Sequence, residues 1–183
     1  MFKSFANKLT VSRILVIPVI LVLLVIPETW AAWVALVLFA FAGLTDYLDG
    51  YMARRDNEVT KIGQFLDPIA DKLLVASVIL VLVSTGQISG TSVFPAVIIL
   101  LREVAVSGLR EFLAELRVSV PVTRLAKWKT TIQMLALGFL IVGRYAPAWI
   151  PSTSIGDVGM WIAGTITVIT AWDYWRASLK HFD

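Results

Sequence analysis

The 183-residue chain has no cysteine, which excludes disulfide staples, thiolate metal ligation and thiol catalysis. Its one histidine, His181, stands alone near the C-terminus and offers no imidazole chemistry. Charge is scarce: 16% of residues are Asp, Glu, Lys or Arg, against roughly 25% in an average soluble domain. No internal repeat, low-complexity tract or soluble linker interrupts the chain. What is abundant is apolar surface. Hydrophobic residues make up 58% of the sequence and the mean hydropathy is +0.81. A disordered chain is therefore excluded, and a soluble globular protein is disfavoured. The net charge of +3 falls between apolar runs, where it reads as membrane topology and not as a nucleic-acid footprint. No nucleic acid partner is expected.

A membrane-spanning helix needs about 20 mostly apolar residues. Between residues 9 and 27 only Arg13 is charged, near one end where it can snorkel. Residues 29–45 carry no charge, nor do 73–101, a run too long for one span and broken at residues 85–92 by Gly, Ser and Thr. Residues 130–143 and 158–172 supply two more uncharged stretches. The pattern predicts an all-α integral membrane protein, a single domain over 1–183, with six transmembrane helices at 9–27, 30–56, 60–85, 92–117, 122–144 and 156–178. Ahead of them, Phe2, Phe5, Ala6 and Leu9 recur at helical spacing. This predicts a short N-terminal amphipathic helix lying in the membrane interface. The stretch from Lys8 to Ala32 also has the outline of a secretory signal, but five further spans follow, so the first helix is expected to stay in the bundle.

Fifteen of the sixteen basic residues fall at one end of this arrangement and only Arg144 at the other. The bias of Lys and Arg toward the cytoplasm places both termini there, in a multi-pass protein of the cell membrane. Trp30, Trp33 and Trp149 fit an outer aromatic belt, and Trp128, Trp172 and Trp175 an inner one.

Four acids sit where lipid should exclude them. Asp46 and Asp49 are three residues apart, Asp67 and Asp71 four apart, so each pair shares a helix face. With the break centred near Asn57 and Glu58, Asp49 and Asp67 lie at matching depth, on the order of 13 Å from the turn. An antiparallel hairpin would gather all four inside the bundle, toward the cytoplasmic side. Four close carboxylates in a low-dielectric setting must either take protons or bind a divalent cation. All-oxygen ligation suits Mg²⁺, Mn²⁺ or Ca²⁺, and two metals a few ångströms apart would serve phosphoryl chemistry. Gly50 and Ala53 follow Asp49, and Gly63 precedes Asp67 by one turn. Glycine inside a helix costs about 1 kcal/mol relative to alanine, so a close helix contact or a flat ligand is expected there. Arg54 could reach an anionic ligand or simply mark topology.

Written out, the stretch is Asp46-x2-Asp49-Gly50-x2-Ala53-Arg54-x8-Gly63-x3-Asp67-x3-Asp71. It resembles the full signature of the CDP-alcohol phosphotransferases, integral membrane enzymes of phospholipid synthesis. All eight fixed positions match, which chance would give with a probability on the order of 10⁻¹⁰ per starting position. The resemblance implies that an alcohol hydroxyl attacks the lipid-bearing phosphorus of a CDP-activated donor and that CMP leaves. It implies that Asp46, Asp49, Asp67 and Asp71 hold divalent metal, Mg²⁺ or Mn²⁺, two ions per site, with Asp71 also the general base. Gly50, Ala53 and Gly63 would line the cytidine pocket and Arg54 would lie near the phosphates. A homodimer is implied as well.

The acceptor is read from the second half. Arg102, Arg110, Lys127 and Lys129 cluster on the expected cytoplasmic ends of the fourth and fifth helices, and a phosphorylated acceptor needs such a cationic cradle. Their alternative role is topological charge paired with Glu103 and Glu111. The stretches 102–111, 127–133 and 7–13 resemble the bacterial branch of the family that makes phosphatidylglycerophosphate from CDP-diacylglycerol and glycerol 3-phosphate. Ala6 stands where that branch usually has proline and Ala126 where it has glycine; neither change removes a charge. Two other readings stay open: a cardiolipin-type synthase using phosphatidylglycerol, and an ion-coupled transporter, since intramembrane acids often mark ion paths. Asp67→Asn and Asp71→Asn should each remove nearly all metal-dependent CMP release, and full rate in either variant would refute the assignment.

Overall fold

The computed structural model describes residues 5–56, 61–115, 118 and 124–179, with the side chains of 12–45, 69–113, 118 and 125–176. Six α-helices follow one another: α1 Phe5–Val25, α2 Thr29–Asp56, α3 Lys61–Ser84, α4 Val93–Glu115, α5 Arg124–Val142 and α6 Ser152–Leu179. Short 3₁₀ turns at Gly90–Ser92 and Gly143–Tyr145 complete the described chain, which contains no strand among those residues.

The helices fall on the predicted segments, with informative differences at their ends. From Phe5 onward the N-terminal segment runs unbroken into α1, so the separate amphipathic helix expected there is instead the first turns of α1. No glycine or proline between Phe5 and Ile17 stops helix propagation. α6 begins four residues earlier than expected. Ile155 N–H donates to the Pro151 carbonyl at 3.0 Å, and proline with its fixed φ suits a helix start. The long uncharged run does break where its polar residues lie. Gly86 adopts φ +72° and Gly90 φ +56°, a left-handed backbone that glycine alone enters freely.

Among the described residues, three helices are long and apolar enough to cross a membrane: Gly90–Leu113, Leu125–Tyr145 and Ser152–Arg176. Shorter apolar helical stretches cover Ser12–Val25 and Thr29–Thr45. Large apolar side chains lie on both sides of the helices. Ile20, Phe39, Leu74, Leu82, Ile99, Leu137 and Met160 are buried together in the centre. Val22, Val37, Phe41, Leu80, Phe94, Val104 and Leu135 face outward. A helix hydrophobic all round belongs in hydrocarbon, and the seven tryptophans follow suit: Trp30, Trp33, Trp128, Trp149, Trp161, Trp172 and Trp175 are all exposed. Arg13 departs from expectation. It is 2% exposed, enclosed by the bundle and not snorkelling outward.

Helix α1 packs against α2 and α3, α2 against α5, α5 against α6, and α6 against α4. The contacts fix direction. Gly43 lies by Met134 and Gly138 by Leu36, so α2 and α5 run antiparallel. Gly156 meets Leu140 and Gly159 meets Ala136, which makes α5 and α6 antiparallel too. Gly164 lies against Pro95, and Arg102 reaches Thr170, so α4 and α6 run parallel. At one end Arg144 ties the loops together by donating to the Thr85 carbonyl at 2.6 Å. The other end gathers the starts of α3 and α5 and the ends of α4 and α6.

The tightest seam is α5 on α6. A Cβ built at Gly159 would lie 2.7 Å from the Ala136 Cβ, and one at Gly156 2.5 Å from the Leu140 Cγ. Small residues let helix backbones approach this closely in a membrane, where packing has no help from water exclusion. Gly159→Val should therefore destabilise the bundle by about 1–3 kcal/mol through overpacking. Gly108, in α4, has nothing within 4 Å of its Cβ position, so Gly108→Ala should be neutral or stabilising by up to about 1 kcal/mol. Thermal unfolding in detergent distinguishes the two.

Candidate active site

A cavity of about 270 Å³ opens at the end of the bundle opposite Arg144, between four helices. α3 contributes Asp71, Lys72 and Val75; α4 contributes Arg102, Glu103, Val106 and Arg110. α5 adds Ala126, Lys129, Thr130 and Gln133, and α6 adds Tyr174. The spacing explains the selection. Arg102, Val106 and Arg110 are four apart on α4, and Lys129 and Gln133 four apart on α5, so each set shares one helix face.

The polar groups of the wall interlock. Lys129, 3% exposed, pairs with Glu103, whose side chain is 20% exposed. Glu103 also meets its neighbour Arg102 at 3.4 Å. Arg102 donates to the Thr170 hydroxyl at 3.4 Å, and Lys72 donates to the hydroxyl of Ser107. The guanidinium groups of Arg102 and Arg110 stand 5.9 and 5.5 Å from the centre of the Tyr174 ring, whose quadrupole attracts cations. Lys72, Arg102, Arg110 and Lys129 thus outnumber Asp71 and Glu103 around one small cavity. The surplus is positive, which favours an anionic ligand.

Of the residues singled out from sequence, Asp71, Arg102, Arg110 and Lys129 line this cavity. Lys127 does not: two residues before Lys129, it is exposed elsewhere on α5, because positions two apart cannot share a helix face. Asp46, Asp49, Gly50, Ala53 and Arg54 belong to α2, and Gly63 and Asp67 to α3. Their side chains lie outside the described residues. α2 ends at Asp56 and α3 begins at Lys61; the break expected near Asn57 and Glu58 lies outside the described residues. Among the described residues no three acidic or histidine side chains form a metal-binding group.

The sequence of this chain carries a family's imprint over nearly its whole length. The profile of the CDP-alcohol phosphatidyltransferase family matches residues 3–172. The chain belongs to that family. Curated relatives named CDP-diacylglycerol–glycerol-3-phosphate 3-phosphatidyltransferase are similar throughout. The one from Rickettsia felis is 46% identical over 180 residues, covering 98% of each chain. That from Pseudomonas fluorescens is 42% identical, covering 97% of this chain and 91% of its own. That from Cereibacter sphaeroides is 38% identical, with 97% and 96% covered. A CDP-alcohol phosphatidyltransferase is a membrane-bound transferase of phospholipid biosynthesis, and the transporter reading is set aside.

Five polar wall residues were not assigned to the site from sequence: Lys72, Glu103, Thr130, Gln133 and Tyr174. Gln133 was signalled only by its position one turn after Lys129. Tyr174 comes from a helix some seventy residues away from Arg102, and nothing local announces it. The family's lipid chemistry also gives meaning to a second cavity. An apolar groove of about 640 Å³ runs between α2 and α5, with Leu36, Phe39, Leu44, Met134 and Phe139 in its wall. Thr130 lines both it and the polar cavity, so the two adjoin.

The Glu103–Lys129 pair yields a stability prediction. Glu103→Gln leaves the buried Lys129 without its carboxylate and should cost about 1–3 kcal/mol, less than a fully enclosed pair because Glu103 is partly solvated. Glu111→Gln, at an exposed position, should change stability by less than about 0.5 kcal/mol. Adding Lys129→Met to Glu103→Gln should recover part of the loss in a double-mutant cycle.

Proposed function

We propose that the chain transfers the phosphatidyl group of CDP-diacylglycerol to glycerol 3-phosphate, giving phosphatidylglycerophosphate and CMP. The observation that carries this is one small cavity in which Asp71 shares the wall with Arg102, Arg110 and Lys129, in a chain whose relatives bear that reaction in their names. The acceptor's terminal hydroxyl oxygen attacks the lipid-bearing phosphorus. The bond from that phosphorus to the CMP oxygen breaks, CMP leaves with the electron pair, and Asp71 takes the hydroxyl proton.

Arg102, Arg110 and Lys129 hold the acceptor phosphate, with guanidinium groups suited to bidentate contact; Lys127 stands outside this cradle. Gly50, Ala53 and Gly63 receive the cytidine and Arg54 the diphosphate. Asp46, Asp49, Asp67 and Asp71 form an all-oxygen donor set, split between α2 and α3, that fits two divalent cations, Mg²⁺ or Mn²⁺. That donor set would supply, through the cations it held, neutralisation of charge on the diphosphate and the leaving group. The apolar groove between α2 and α5 takes the donor's acyl chains, since it adjoins the polar cavity at Thr130.

Six membrane spans in one domain, both termini and the active site on the cytoplasmic side of the cell membrane, and a homodimeric assembly complete the proposal. The crowding of basic residues at the cavity end supports that orientation.

An acceptor screen tests the reading. Purified protein should release CMP from CDP-diacylglycerol with glycerol 3-phosphate, and not with phosphatidylglycerol, serine or inositol phosphate. Chelation should abolish the release and Mg²⁺ or Mn²⁺ restore it; comparable rates with phosphatidylglycerol would overturn the assignment. Arg110→Met should raise the KM for glycerol 3-phosphate by about tenfold or more, the loss of a charged hydrogen bond, and leave the KM for CDP-diacylglycerol nearly unchanged.

A further inference from the structure

Gln133 is 2% exposed and lines the polar cavity, yet its Oε1 has no hydrogen-bond partner. Buried polar side-chain atoms nearly always have one, and in this wall Arg102 Nε is the other atom without one among the described residues. Glu103 meets Lys129 and Arg102, Lys72 donates to Ser107, and Arg102 donates to Thr170. A carboxamide oxygen can only accept, so the ligand that completes Gln133 must bring a donor. Phosphate cannot be that donor, because its ionised oxygens are acceptors and suit the cations of the same wall.

Glycerol 3-phosphate, the acceptor proposed above, brings two hydroxyls. The terminal one attacks phosphorus and loses its proton. The central one takes no part in the chemistry and still needs a partner on leaving water. Gln133 lies four residues after Lys129, about 6 Å farther along the helix axis. The central hydroxyl of the acceptor likewise lies beyond its phosphate along the molecule, so a side chain one turn past Lys129 is on the side that faces it.

We propose that Gln133 Oε1 accepts a hydrogen bond from the non-reacting central hydroxyl of the acceptor, fixing its register and selecting a three-carbon diol phosphate over phosphorylated mono-alcohols. The proposal rests on the transferase reading and adds a specificity residue to it. A site built to bond a hydroxyl discriminates against the analogue that lacks it, because its buried acceptor is then left unpaired.

The test compares kcat/KM for glycerol 3-phosphate and for 3-hydroxypropyl phosphate, which lacks only the central hydroxyl. It is run on the full-length protein and on Gln133→Met and Gln133→Leu. The ratio of the two values does not depend on how much enzyme is folded. The unsubstituted protein should prefer glycerol 3-phosphate by about tenfold. Both variants should bring the ratio within about twofold of unity, through loss on glycerol 3-phosphate alone. A variant that keeps the wild-type ratio, or an unsubstituted protein with no preference, overturns the role of Gln133 while leaving the transferase reading intact. So does a variant inactive on both acceptors with an unchanged Tm. Absence of CMP release from the unsubstituted protein with either acceptor overturns the transferase reading itself. Should neither apolar variant fold, Gln133→Asn, which withdraws the carbonyl by one methylene, must reduce the ratio for the proposal to stand.

Discussion

Lys129 and Glu103 face each other across the gap between α5 and α4, and the arrangement of the polar cavity depends on that meeting. An ammonium group enclosed by apolar helices carries a large desolvation cost unless a carboxylate stands beside it. Glu103 provides the carboxylate and at the same time steadies Arg102. One acid therefore holds two cations from two helices in a fixed relation. Arg102 and Arg110 are further drawn to the ring of Tyr174, which brings α6 into the same wall. The result is a cavity lining with a positive surplus whose cations are held by an ion pair and by an aromatic ring. Charge fixed in this way costs less to order on binding.

The rest of the bundle serves this end of it. Glycines at 156 and 159 let α6 lie close on α5, and the parallel course of α4 and α6 sets Arg102 beside Thr170. The opposite end is closed by loops and the Arg144–Thr85 bond. Polar cavity and apolar groove meet at Thr130. That adjacency matches an amphipathic substrate, whose head must reach ionic groups while its tails remain in hydrocarbon. A soluble site would need to bury the tails entirely; a membrane bundle need only leave a furrow on its surface.

Much of this was legible in sequence. Helix number and approximate limits followed from long uncharged runs broken by Gly-rich polar stretches, since both signals act within a few residues. Arg102 and Arg110 were visible as a pair on one helix face, and Asp71 through its spacing from Asp67. Three things were not legible. The first span was started at Leu9, where the apolar run begins, whereas α1 runs unbroken from Phe5 because a helix ends only where backbone bonding ends. Arg13 was expected to snorkel, but neighbouring helices enclose it. Lys127 and Lys129 were read together because they are close in sequence; on a helix, positions two apart face different ways.

The sequence by itself determined the helical class, the apolar exterior and the family, because hydropathy runs and motif spacing are local properties that any fold of the chain must respect. The tertiary structure alone decided which polar residues share a cavity. Glu103, Lys129 and Tyr174 come from three helices, and their meeting depends on helix direction, rotation and closeness. Those are set by packing at Gly156, Gly159 and Gly164. Such contacts are long-range, and no window of the sequence contains both partners.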